Sequence, residues 1–136
     1  HQVQAATGVS LSSGENVCTA HQFKLMMDAG AVSFVQPSVI KLGGIGQFLE
    51  VCRLAAQYNL EVAPHSPYFG PGFVATLHLI AHTNQPRWVE KIYFDLACDL
   101  FTTPLQFANG SYTVPEGPGL GVEPDPRVLK DFALKR

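Results

Sequence analysis

At 136 residues the chain is long enough for one domain with its own core, and a composition 46% hydrophobic and 15% charged lies outside the range of disordered segments. The formal charge of −2, with no cluster of Lys and Arg, excludes the electrostatic footprint of a nucleic-acid binder. No apolar run reaches the roughly 18 residues of a membrane span, and HQVQAATG at the start lacks the charged head and apolar middle of a secretory signal.

Cys18, Cys52 and Cys98 are widely spaced, without CxxC or CxxH, so neither a disulfide framework nor a zinc site is expected. Two of them fall within expected amphipathic helices and read as buried free thiols, which points to a reducing, cytoplasmic compartment. The chain opens at His1 without methionine, as a processed product or a piece of a longer protein would.

Val9 to Ser12 is a short apolar and small-residue run that Ser13-Gly14 closes, a strand leading into a turn that presents Glu15 and Asn16. Phe23, Met26 and Met27 recur at helical spacing from Thr19 to Ala29, with Gly30 where a C-cap belongs. Val32 to Val35 reads as a second buried strand; Val39 to Leu42 follows and ends at the Gly43-Gly44 turn. Phe48, Leu49, Cys52, Leu54, Ala55 and Ala56 mark a helix closing near Tyr58-Asn59, and Glu61 to Ala63 a third strand ending at His65.

Phe73 to His82 reads as a nearly buried helix and Arg87 to Phe94 as a fourth, alternating strand. In the tail, Leu105 to Val114 around Asn109-Gly110 is a hairpin, and Val128 to Leu134 one or two helical turns. Strands that alternate with helices and read as continuous apolar runs define an α/β fold, a parallel sheet covered by helices.

In such a sheet ligands sit beyond the C-terminal strand ends. The expected strands place Glu15, Ser38 and Lys41, His65 and Glu90 there or nearby. Two carboxylates, an imidazole and an ammonium in one cleft suit proton transfer, with a divalent metal as an optional addition.

The segments SGEN (13–16), QPSVIKLGGI (36–45), APH (63–65) and WVEKI (88–92), in this order and spacing, resemble the second half of the barrel domain of the enolase superfamily. The likeness is to the mandelate racemase/muconate lactonizing enzyme family, in its mandelate racemase and sugar-acid dehydratase branch, and it covers nearly the whole chain. It implies the C-terminal part of a TIM-type (β/α) barrel over 1–103 and a hairpin tail over 104–136 that would pack on a capping domain. It also implies magnesium, removal of the proton next to a substrate carboxylate, and stabilisation of the resulting enediolate on the metal.

Under this resemblance Glu15 is a metal ligand and His65 the acid or base. Glu90 is a neutral acid donating to the substrate carboxylate, its pKa raised by burial among Trp88, Val89 and Ile92. The alternative for Glu90 is a salt bridge with Lys91 or Arg87. Lys41, before the double glycine, is electrostatic support or structure. Tyr68 and Phe69 line or cover the substrate pocket or simply pack in its wall, whereas His78 and His82 read as packing or surface residues despite their i, i+4 spacing.

Ser38 stands where His-dependent members carry an aspartate that pairs with the histidine. A hydroxyl orients an imidazole without raising its pKa, so dehydration is expected over racemisation. The family's other metal carboxylates and the base on its earlier strands have no counterpart in these residues. The expectation is therefore a magnesium-dependent acid-sugar or hydroxy-acid dehydratase, with racemase or epimerase activity behind it. It acts on a small carboxylate substrate as a homo-oligomer, is completed by the N-terminal half of the barrel and the cap, and is not competent as this chain alone. The rival is a catalytically inactive barrel remnant that serves as a binding or interaction module.

Overall fold

A computed structural model describes residues 1–83 and 88–134. Helix α1 (Gln2–Thr7) buries none of its residues and closes on Gly8, whose φ of 68° is the left-handed conformation of a helix cap. Sequence reading assigns no element here, because the stretch has no apolar periodicity to detect.

Strands β1 (Ser12–Ser13), β2 (Phe34–Val35) and β3 (Glu61–Val62) form a parallel sheet in chain order. Helix α2 (Ala20–Asp28) connects the first pair and α3 (Ile45–Gln57) the second, the long crossover that parallel strands require. Backbone bonds carry the ladder past the strands proper: Gln36 N–H donates to the Ser13 carbonyl at 2.9 Å, Ala63 N–H to Val35 at 2.9 Å and His65 N–H to Pro37 at 3.1 Å.

The first strand differs from expectation. It begins at Ser12, its residues are exposed, and Val9 is 58% exposed. Among the described residues β1 has no neighbour on its outer side and lies at the edge of this sheet, so its apolar run is not enclosed as a central strand's is. Val39 to Leu42 forms turns, with Val39 and Leu42 buried and Ile40 outside.

Both crossover helices form for visible reasons. Thr19 caps α2 by accepting from the Gln22 N–H at 3.2 Å, and Phe23 and Met27, one turn apart, face inward. In α3 the buried Phe48, Val51, Cys52 and Ala55 follow helical spacing, and Asn59 just beyond takes a φ of 54°. These side chains join Val35, Val39, Leu42 and Val62 in one core, extended by Ala75 and Leu79 of α4 (Pro71–Thr83). Each fully buried side chain such as Phe48 contributes about 1.5–3 kcal/mol through removal of apolar surface from water.

Residues 88–94 do not form the expected fourth strand; Arg87 lies outside the described residues. Along β3 the amides of Ala63 and His65 point toward β2, so position 64 faces the opposite edge, and proline there has no N–H to offer. The alternation in 88–94 is not used for burial either: Trp88 is 70% and Tyr93 96% exposed.

The tail folds back. Strands β4 (Phe107–Ala108) and β5 (Ser111–Tyr112) pair antiparallel about Asn109 and Gly110, whose φ values of 52° and 75° are those of a tight hairpin turn. Tyr112 packs edge-on against Phe73 of α4 at 5.1 Å, and His78 Nε2 lies 3.0 Å from the Leu120 carbonyl. Helix α5 (Pro126–Asp131) is capped by Asp125, which accepts from the Arg127 N–H at 2.8 Å.

Candidate active site at the strand ends

Each strand of the parallel sheet delivers one residue to the same end. Glu15 follows β1 through Gly14, Ser38 follows β2 through Gln36-Pro37, and His65 follows β3 through Ala63-Pro64. Gly14 has a φ of 130°, and a Cβ there would stand 2.5 Å from Cε1 of Phe23. Only glycine lets the chain turn over the core at that point and present Glu15.

His65 is the centre of the cluster. Its side chain is 17% exposed; Nδ1 lies 3.0 Å from Oε2 of Glu90 and 3.6 Å from Oε2 of Glu15. The Glu90 approach is close in distance but lies off the hydrogen-bonding direction, since Nδ1 has no hydrogen-bond partner among the described residues. The contact is therefore electrostatic in kind.

Glu90 is half-exposed at 46%, so the burial expected from its apolar neighbours is absent because Trp88 turns outward. Nor does it pair with Lys91, whose Nζ lies 3.9 Å from Asp95 and 5.9 Å from the Phe107 ring; Arg87, the other expected partner, lies outside the described residues. Glu90 Oε2 accepts instead from the Ser66 N–H at 3.1 Å.

Ser38 is fully buried, and its hydroxyl has no hydrogen-bond partner among the described residues. It does not orient the imidazole as expected. Lys41 is exposed and reaches the cluster indirectly: its Nζ donates to Asn16 Oδ1 at 2.5 Å, and Asn16 Nδ2 donates to Glu15 Oε1 at 3.2 Å. Asn16 was missed as a site residue because nothing distinguishes an asparagine in a turn from one that links two charges.

Tyr68 and Phe69 stand apart from the charged cluster. They line a cavity of about 560 Å³ together with Phe73, Lys91, Phe94 and Tyr112, and none of Glu15, Lys41, His65 and Glu90 is on its wall. The Tyr68 hydroxyl is 3.0 Å from Thr76 Oγ1, which fixes the ring against α4. The cysteine reading is corrected as well: Cys52 alone is buried, Cys18 being exposed and Cys98 partly so.

Among the described residues no group of three His, Cys, Asp or Glu side chains is placed to hold a metal ion. Glu15 has one oxygen on Asn16 and the other facing His65. These residues by themselves do not make a magnesium site, which needs near-octahedral oxygen ligation.

A histidine and two glutamates thus gather at the C-terminal strand ends of a parallel α/β sheet, the end at which (β/α) barrels place their sites. Residues 1–128 match the family described as enolase C-terminal domain-like, and the chain belongs to that family. It is 28% identical over 137 residues to the D-galactonate dehydratase of Xanthomonas euvesicatoria pv. vesicatoria, covering 95% of this chain and 36% of that protein. To the D-galactarolactone cycloisomerase of Agrobacterium fabrum it is 29% identical over 143 residues, covering 98% and 38%. The L-talarate dehydratase of Polaromonas sp. JS666, solved with Mg and L-glucarate, superposes with a TM-score of 0.73 at 26% identity, over 95% of this chain and 34% of that one. The chain thus spans little more than a third of these relatives, and the fold is that of the C-terminal part of a (β/α) barrel.

Proposed function

We propose that this chain is the C-terminal catalytic part of a dehydratase acting on an acid sugar or related hydroxy acid. The observation that carries the reading is His65 Nδ1 set between the carboxylates of Glu90 and Glu15, at 3.0 and 3.6 Å. The names of the relatives support the substrate class.

In dehydration the proton α to the carboxylate is removed and the β-hydroxyl departs as water, leaving an enol that tautomerises to a keto acid. His65 supplies the proton to the departing hydroxyl. With Nδ1 facing the carboxylates, Nε2 is the ring nitrogen left to exchange that proton. Glu90, half-exposed with Oε2 3.0 Å from Nδ1, steadies the imidazole by its charge; Lys41 acts through Asn16 on Glu15. The base that removes the α-proton comes from residues outside this chain.

Magnesium enters the proposal through Glu15, as one carboxylate of an ion whose remaining ligands also lie outside this chain. The complete protein is a cytoplasmic homo-oligomer whose capping domain packs on the 104–136 tail. An inactive remnant, the rival reading, draws on Ser38 but gives the His65–Glu90 approach no role.

The test is a screen of acid sugars against the intact protein for keto-acid formation, followed by His65→Asn. The substitution lowers kcat by about 100-fold or more, the scale of general acid–base catalysis. Full retention of rate removes His65 from the mechanism.

A further inference from the structure

The geometry points to Ser66 as the positioning residue that holds Glu90 against His65. This inference rests on the functional reading above and adds a residue to which that reading gives no part.

Ser66 is fully buried; its N–H and hydroxyl make three hydrogen bonds to Glu90, while its carbonyl accepts from the Tyr68 N–H at 2.7 Å. Its N–H donates to the carboxylate Oε2 at 3.1 Å. Its hydroxyl accepts from the Glu90 N–H at 2.9 Å and donates to the Glu90 carbonyl at 3.2 Å. One short side chain thus occupies both backbone groups of Glu90 while the adjacent amide holds its carboxylate.

The cause is the failure of the fourth strand. Positions 64 and 66 face the edge of β3 away from β2, and a strand at 88–94 would draw its ladder bonds from them. Pro64 has no N–H, and the Ser66 N–H is taken by a side chain, so no ladder locates Glu90. The serine hydroxyl, donor and acceptor at once, takes over both backbone contacts. Because Ser66 directly follows His65, the clasp ties Glu90 to the same backbone that carries the imidazole. Oε2 of Glu90 therefore comes to rest 3.0 Å from Nδ1, although exposure alone would leave the carboxylate free to swing.

Two measurements on the intact protein carrying Ser66→Ala test this. In hydrogen–deuterium exchange read by mass spectrometry, the peptide containing Glu90 exchanges about tenfold faster, as expected where a local bond is lost, while peptides from α3 are unchanged. With whichever acid sugar the unaltered protein turns over, kcat falls roughly 10- to 100-fold and KM shifts less than about threefold, the pattern of a group needed in the transition state. Added to Glu90→Gln, the same substitution costs less than about threefold more, because there is no longer a carboxylate to position.

Unchanged exchange at Glu90, an unchanged kcat, or losses that multiply in the double variant each overturn the assignment. Absence of turnover by the unaltered protein on every acid sugar overturns the dehydratase reading alone. The exchange measurement then decides the role of Ser66.

Discussion

The amide of His65 donates to the carbonyl of Pro37 at 3.1 Å, which carries the β2–β3 ladder beyond the last paired residues of either strand. The imidazole is therefore fixed by backbone on the β2 side and meets carboxylates from β1 and from 88–92. Ser38, next to Pro37, contributes no hydrogen bond to this arrangement among the described residues.

Replacing Ser38 by alanine removes a buried hydroxyl whose desolvation is uncompensated. Stability in the intact protein is expected to stay level or rise by about 1 kcal/mol, since an unsatisfied buried group costs on that order. Chemical denaturation reads the change, and a loss above about 1 kcal/mol would show that the hydroxyl has a partner after all.

Gly14→Ala is expected to be costly. The new Cβ would stand 2.5 and 2.9 Å from ring atoms of the fully buried Phe23, at a φ of 130° that L-residues rarely adopt. Overpacking and backbone strain together place the loss at about 2–4 kcal/mol. A denaturation midpoint equal to that of the unaltered protein would contradict it.

Burial pushes the Cys52 thiol up from 9.0 to about 11, with a backbone hydrogen bond opposing. Between those values the folded state holds a proton that the unfolded state has lost, so stability falls as pH rises from about 9 toward about 11 and is fully present below. Cys52→Ala flattens this alkaline slope while lowering stability at neutral pH through the space it leaves. In native labelling with a maleimide near pH 8, Cys18 reacts first and Cys52 only on unfolding; equal rates at the two would refute its burial.

Magnesium titrated into the 136-residue chain by calorimetry is expected to show no tight stoichiometric binding, because the described residues assemble no three-ligand group. A one-to-one isotherm of micromolar affinity would require a site not built on Glu15 alone.

Much of the framework is legible locally. Apolar runs closed by Gly14, by Gln36-Pro37 and by Pro64 announce where strands stop, and so which residues stand at their ends. The same punctuation misled at 88–94, where alternation suggested a strand while Pro64 had already removed a donor from the edge it needed. Tyr68 and Phe69 follow His65 closely in the chain, and whether they face its cluster or pack in a wall is not written in that spacing; they line the aromatic cavity beside α4.

The sequence by itself determined the α/β rhythm, the parallel order of the strands and the identity of the residues at their ends, because each depends on spacing and turn chemistry within a short window. The tertiary structure alone decided that Glu90 is half-exposed and held by Ser66, that Asn16 joins Lys41 to Glu15, and that the Ser38 hydroxyl has no hydrogen-bond partner among the described residues. These are contacts between residues far apart in the chain, fixed by how the β3 edge is satisfied, and no local pattern encodes them.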